Sequence, residues 1–249
     1  MKSFLIALQF LSRLQVARQT VWTEEDFGRS VLYYPLVGLI IGIFLAVVYG
    51  LCSLFLSGFC LAAVVIAAWF FITGGLHADG YMDTADGIFS GRRREQMLDI
   101  MKDSRVGANG VMAFFWLALL KICFLTEIPA AAVLPALVGI PAAARFGTLI
   151  SILEFPYARK EGLGKAFVQY APSYTMKAGF VLALLPAVYG GFLYITLLGL
   201  AMLVSLGSNR YIEHVLGGVT GDTYGAVCEW NEMVLLAAAA VMGHLFYVC

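Results

Sequence analysis

Residues 178–207 read AGFVLALLPAVYGGFLYITLLGLAMLVSLG, an uncharged run too long for one membrane crossing and too short for two ordinary ones. Crossing about 30 Å of hydrocarbon takes about 20 apolar residues at about 1.5 Å rise each, so two crossings take about 40. Pro186 and the neighbours Gly190 and Gly191 near the middle favour a tight helical hairpin, since both residue types interrupt a helical ladder. With a hairpin the chain crosses seven times; with a single crossing, six.

Elsewhere the apolar runs at 31–51, 59–76, 110–126, 129–153 and 233–248 leave less choice. Of 249 residues, 61% are hydrophobic and 13% charged, and the mean hydropathy of +0.86 excludes an ordinary soluble domain. The expected fold is all-α, a polytopic integral membrane helical bundle of about six or seven transmembrane helices. No linker or internal repeat divides it, so residues 1–249 read as one membrane domain. Within it lie an interfacial segment at 1–30, a polar site at 74–109 and a second polar loop at 208–232.

The N-terminal stretch MKSFLIALQFLSRLQVARQT is too short in its apolar part, and too closely followed by Arg13 and Arg18, for a signal peptide. Phe4, Leu8, Leu11 and Gln15 follow a helical stripe, which suits an amphipathic helix lying in the interface. The cysteines, Cys52, Cys60, Cys123, Cys228 and Cys249, lack any C-x-x-C spacing and imply neither disulfides nor zinc.

Sixteen basic and sixteen acidic residues give zero formal charge, so no nucleic-acid partner is expected; the distribution is more telling. An inside N-terminus puts Lys2, Arg13, Arg18, Arg29, Arg92, Arg93, Arg94, Lys102, Arg105, Arg159, Lys160, Lys165 and Lys177 in the cytoplasm and none in the outer loops. Lys121 and Arg145 fall within spans, where they should face the bundle interior or pair with a carboxylate.

The polar residues interrupt this pattern at three places. GGLHADGYMDTADGIFSG, residues 74–91, carries Asp79, Asp83 and Asp86 at offsets that fall on one helical face within roughly 60°. A solvated helix end explains one acid at a membrane boundary; three on one face among glycines point to an oxygen-ligand site for Mg²⁺ or Mn²⁺. His77 lies away from that face and reads equally well as a buried structural histidine. In RRREQMLDIMKDSRVGANGV, residues 92–111, Lys102 and Arg105 precede Gly107 and Gly110, where helix-start amides and cations suit phosphate oxygens. In NRYIEHVLGGVTGDTYGAVCEWNE, residues 209–232, Asp222 again sits among small residues. If this loop is cytoplasmic it can converge with the Asp79 cluster, which favours the hairpin and seven spans.

GGLHADGYMDTADGIFSG, IMKDSRVGANG and GGVTGDTYGA, in this order, together with the opening FLIALQFLSRLQV and YYPLVGLIIG, resemble the cobalamin synthase (adenosylcobinamide-GDP ribazoletransferase) family over nearly the whole chain. The resemblance implies a bacterial or archaeal inner-membrane enzyme with its active site on the cytoplasmic side. Such an enzyme joins adenosylcobinamide-GDP to α-ribazole or α-ribazole 5′-phosphate, uses Mg²⁺ and releases GMP. On this reading Asp79, Asp83 and Asp86 hold metal, and Asp222 or one of these three takes the proton from the attacking hydroxyl. The substrate- and phosphate-binding set is His77, Lys102, Asp103, Ser104, Arg105 and Arg210. Association, as a homo-oligomer or with other cobalamin-assembly enzymes, is left open. The acids also show partial similarity to CDP-alcohol phosphotransferases, but Tyr81 and Met82 follow Asp79-Gly80 where that signature needs an alanine-arginine pair. A divalent cation transporter is the reading from another class; its acids would be spread over several spans near the midplane.

Overall fold

The computed structural model describes residues 2–17 and 22–247 and, among them, consists of helices with one isolated bridge between Tyr157 and Val219. Arg18 and Cys249, and the last residue of the expected span 233–248, lie outside the described residues. The helices are α1 (Lys2–Leu11), α2 (Glu24–Ser30), α3 (Tyr34–Cys52), α4 (Gly58–Ile72), α5 (Leu76–Ile88) and α6 (Arg94–Ile100). They are followed by α7 (Ala108–Glu127), α8 (Ala130–Glu154), α9 (Leu163–Tyr170), α10 (Thr175–Ala183), α11 (Ala187–Leu216) and α12 (Gly221–Tyr247).

Among the described residues, five stretches are long and apolar enough to cross a membrane: Glu24–Cys52, Ala108–Glu127, Ala130–Glu154, Ala187–Leu216 and Gly221–Leu245. A sixth is reached if α4 and α5, bent by 91°, count as one. The fold is therefore the expected all-α polytopic bundle.

α8 is its axis. In its apolar window 89% is buried inside the bundle, against 22% for α7. Small residues bring the neighbours in: a Cβ on Gly38 or Gly42 of α3 would stand 2.4 or 2.3 Å from the carbonyl oxygens of Pro141 and Val138. Such close approach is how apolar helices gain contact where surrounding lipid is equally apolar.

The stretch at 178–207 is a hairpin with unequal arms. α8 and α11 run the same way, since Gly139 meets Tyr194, Gly147 meets Ser205, and Asn209 donates to the Ser151 hydroxyl at 2.8 Å. α10 runs against them: Gly179 lies on Leu149, the Phe180 ring is 5.5 Å from Phe146, and the Tyr194 hydroxyl donates to the Ala183 carbonyl. The chain thus rises through α10, turns at residues 184–186 and returns in α11, which bends near its start at Gly191 (φ 51°). α10 has nine residues, about 14 Å of helix, so the seventh crossing is not made by a helix of spanning length.

Two expected boundaries move. The run 59–76 breaks where Gly74 and Gly75 take left-handed φ values of 66° and 74°, which turns α5 across the end of the bundle. The polar loop at 208–232 is almost wholly helical: α11 continues to Leu216, ends on left-handed Gly217 whose N–H bonds to the Glu213 carbonyl, and α12 starts at Gly221. Thr220 and Thr223 bond each other's amides at 2.8 and 3.3 Å across that start.

α1 packs one face against the bundle. It buries Ile6, Ala7, Leu8, Gln9 and Leu11 against the bundle, and Gln15 lies beyond its end. The Arg13 amide bonds to the Ile72 carbonyl at 2.8 Å, fixing this segment to the foot of α4.

Candidate active site

The α4–α5 bend places α5 over the end of the bundle where α8 and α11 finish and α12 begins. At that end the Val219 amide bonds to Pro156 O and the Ala158 amide to Val219 O, both at 2.8 Å, and Arg94 reaches the His214 and Val215 carbonyls at 3.4 Å. Gly80 decides the convergence. A Cβ there would lie 2.5 Å from the Asp222 carbonyl oxygen, so only glycine lets the start of α12 rest on α5 and bring Asp222 to the aspartate face.

Asp83 sits at the centre of the acids. Burial first, then the charges of Asp79, Asp222 and Asp86, push its carboxyl up to about 6 against the opposing pull of Arg159. Arg159 pairs with Asp222 at 2.8 Å, and its Nε is buried without a hydrogen-bond partner in the protein. Asp86 is differently engaged. It is 8% exposed and accepts from the amides of Gly107 at 2.7 Å and Gly110 at 2.8 Å, capping the start of α7. Cβ atoms on those glycines would come within 2.3 and 2.4 Å of the Asp86 oxygens, so the glycines serve this cap, and their amides are engaged by Asp86.

The other sequence candidates separate. Lys102, Ser104 and Arg105 are exposed on the loop before α7. Arg105 donates to Asp103 at 2.7, 3.0 and 3.2 Å, which holds the Asp103 carboxyl well down, to about 2. Arg210 is exposed on α11 and joins neither the acids nor the ion pairs described here. His77 is buried beneath the acids, with Nδ1 3.5 Å from the Arg145 guanidinium.

That guanidinium belongs to a buried network. Arg145 bonds to Glu232 at 3.0 Å; Lys121 pairs with Glu232 at 2.7 Å and with Glu229, while its ammonium lies 5.1 Å from the Trp69 ring. Two cations and two anions balance, as in-span Lys121 and Arg145 were expected to do.

Beside the acids is a cavity of about 230 Å³ walled by Phe10, Tyr34, Phe167 and Tyr224 as well as Asp79 and Asp222. These aromatics and Arg159 were not singled out as site residues from the sequence. Arg159 reads there only as a positive-inside charge, and no spacing links it to Asp222.

Residues 3–240 match the protein family described as cobalamin-5-phosphate synthase. The chain belongs to this family. Proteins named adenosylcobinamide-GDP ribazoletransferase are similar to it along most of their length. That of Acetivibrio thermocellus is 38% identical over 95% of this chain and 96% of its own, and that of Brevibacillus brevis 39% over 95% and 96%. That of Desulforamulus reducens is 42% identical over 84% of both chains. No solved structure is a match. The three motifs that resemble the cobalamin-5-phosphate synthase family are the segments the fold assembles: the first forms α5, the second caps onto Asp86, and the third delivers Asp222.

Proposed function

We propose that this chain is an adenosylcobinamide-GDP ribazoletransferase of a bacterial or archaeal inner membrane, acting on the cytoplasmic side. It joins adenosylcobinamide-GDP to α-ribazole or α-ribazole 5′-phosphate, forming adenosylcobalamin or its 5′-phosphate and releasing GMP. The observation that carries this reading is the convergence of Asp79 and Asp83 of α5 with Asp222 of α12 over Gly80, in a chain of this family. Family membership favours it over the CDP-alcohol phosphotransferase and cation-transport readings.

The donor set fits a hard divalent cation such as Mg²⁺. It offers carboxylate oxygens only, and Asp83, whose proton affinity is raised first by burial and then by Asp79, Asp222 and Asp86, sits among like charges whose repulsion a cation relieves. Among the described residues no three His, Cys, Asp or Glu side chains form a ready cage. That suits Mg²⁺, which is typically held by one or two carboxylates together with substrate phosphates. Asp79 and Asp83 would hold it; bound there, it would supply charge neutralisation for the diphosphate as the bond to GMP lengthens. Asp86, with both oxygens on amides, anchors α5 to α7 and adds its charge.

The chain's own groups then act as follows. Lys102 and Arg105 on the exposed loop draw in the anionic substrate and grip its non-bridging oxygens, with Asp103 orienting the Arg105 guanidinium beside Ser104. Arg159, paired with Asp222 at 2.8 Å, adds positive charge beside the acids. A ribazole hydroxyl attacks the phosphorus bonded to the cobinamide arm, GMP leaves, and Asp222, which lines the cavity, accepts the hydroxyl proton. His77 contributes by supporting α5 from below through Arg145.

The test is GMP release by the purified chain in liposomes given adenosylcobinamide-GDP and ribazole 5′-phosphate. Release that requires Mg²⁺ and matches cobalamin product one for one is expected. No release at saturating substrates and Mg²⁺ would contradict the reading.

A further inference from the structure

We infer that the cavity between α1, α5, α9 and α12 seats the flat aromatic base of the nucleoside substrate, with the buried Tyr224 hydroxyl donating to the ring nitrogen that the sugar leaves free. This rests on the function proposed above and adds a substrate subsite to it.

The walls point to a planar aromatic ligand. Phe167 is met edge-on by Phe10 at 5.8 Å and by Tyr34 at 6.2 Å between centroids, the arrangement in which rings present both faces and edges to a guest. Tyr224 and Tyr34 are 4% and 2% exposed, and the Tyr224 hydroxyl has no hydrogen-bond partner. Ser30 stands beside the Tyr34 hydroxyl and can accept from it, so Tyr224 is the phenol left to donate. Buried hydroxyls left unpaired are costly, and a ligand acceptor at that point removes the cost.

Size and polarity select among the substrate's parts. At about 230 Å³ the cavity is smaller than the range of about 300–1,000 Å³ for drug-sized ligands, so it admits a bicyclic ring and not a corrin macrocycle. A guanine edge demands several donors and acceptors at once. The benzimidazole-type base of a ribazole, once joined to its sugar, presents one acceptor nitrogen and otherwise apolar surface, which matches a phenol donor in an aromatic box. With the base seated there, the attached sugar falls at the rim formed by Asp79 and Asp222, where its hydroxyl must be deprotonated. A groove of about 410 Å³ lies on the other side of α5, against Tyr81, Thr84 and Trp230, and faces away from the acids.

The experiment is a fluorescence titration of dimethylbenzimidazole riboside onto the full chain in detergent, with turnover measured on the same samples. Wild type should bind saturably. Tyr224→Phe, which keeps the ring, should bind about tenfold more weakly and raise KM for the riboside with kcat and KM for adenosylcobinamide-GDP unchanged. Phe10→Leu, which keeps an apolar wall at a partly buried position but removes the ring, should fold and bind the riboside more weakly. An indole riboside, lacking the ring nitrogen, should bind wild type and Tyr224→Phe equally. Variants that bind the riboside as wild type does, in a chain that turns over, would overturn the subsite and spare the proposed function. Binding with this pattern but without GMP release would sink the proposed function and leave the subsite standing. Absence of any saturable binding would overturn the subsite whatever the turnover.

Discussion

Asp86 lends both carboxylate oxygens to the amides that begin α7, whereas Asp83, one helical turn away on the same face, has its proton affinity raised by burial and then by its acidic neighbours. The two therefore respond differently to neutralisation. Asp86→Ala removes a buried cap and should cost about 1–2 kcal/mol, read as a lowered melting temperature in detergent. For Asp83 the sign runs the other way. Its folded-state pKa of about 6 exceeds the ordinary carboxylate value, so its contribution to stability is most favourable in acid and is lost as pH rises through about 6. Asp83→Asn should then melt above wild type at pH 8 and level with it at pH 4, and Mg²⁺ should stabilise wild type more than the variant. The i, i+4, i+7 spacing made the shared face of Asp79, Asp83 and Asp86 legible in the sequence. The division of labour among them was not, because it depends on which amides the fold brings to each.

At the scale of the element, punctuation residues carried most of the information. Gly74 and Gly75 turn α5, Pro186 and Gly191 fold back the 178–207 run, and Gly217 ends α11. The sequence showed that such residues interrupt the helices but not by how much: a broken 59–76 run still looks like one span, and the polar island at 209–232 looks like a loop because its acids and amides are satisfied only in the folded bundle. Gly191 allows a direct check. Its φ of 51° strains any other L-residue, while a Cβ there meets no atom within 4 Å, so the cost of Gly191→Ala is conformational alone. A loss of about 1 kcal/mol by thermal unfolding is expected, against no loss for Gly199→Ala, which sits in regular helix with equally open space.

Across the whole molecule, the buried tetrad of Lys121, Glu229, Arg145 and Glu232 ties α7, α8 and α12 together under the site. Composition showed that in-span cations needed partners; which carboxylates supplied them depended on α12 starting at Gly221, well before its apolar run. Lys121→Met leaves two buried carboxylates short of a cation and should destabilise the bundle by about 3–5 kcal/mol, with part of the loss recovered when Glu229→Gln is added. The account as a whole stands on α5 and α12 building a single reaction centre. Its most direct measurement is a double-mutant cycle on Mg²⁺-dependent GMP release with Asp83→Asn and Asp222→Asn. Each single variant should lose about 10²-fold or more, and the double variant should be no slower than the worse single one, as for groups acting as a unit. Losses that multiply in the double variant, or an Asp222→Asn enzyme as fast as wild type, would contradict the shared site.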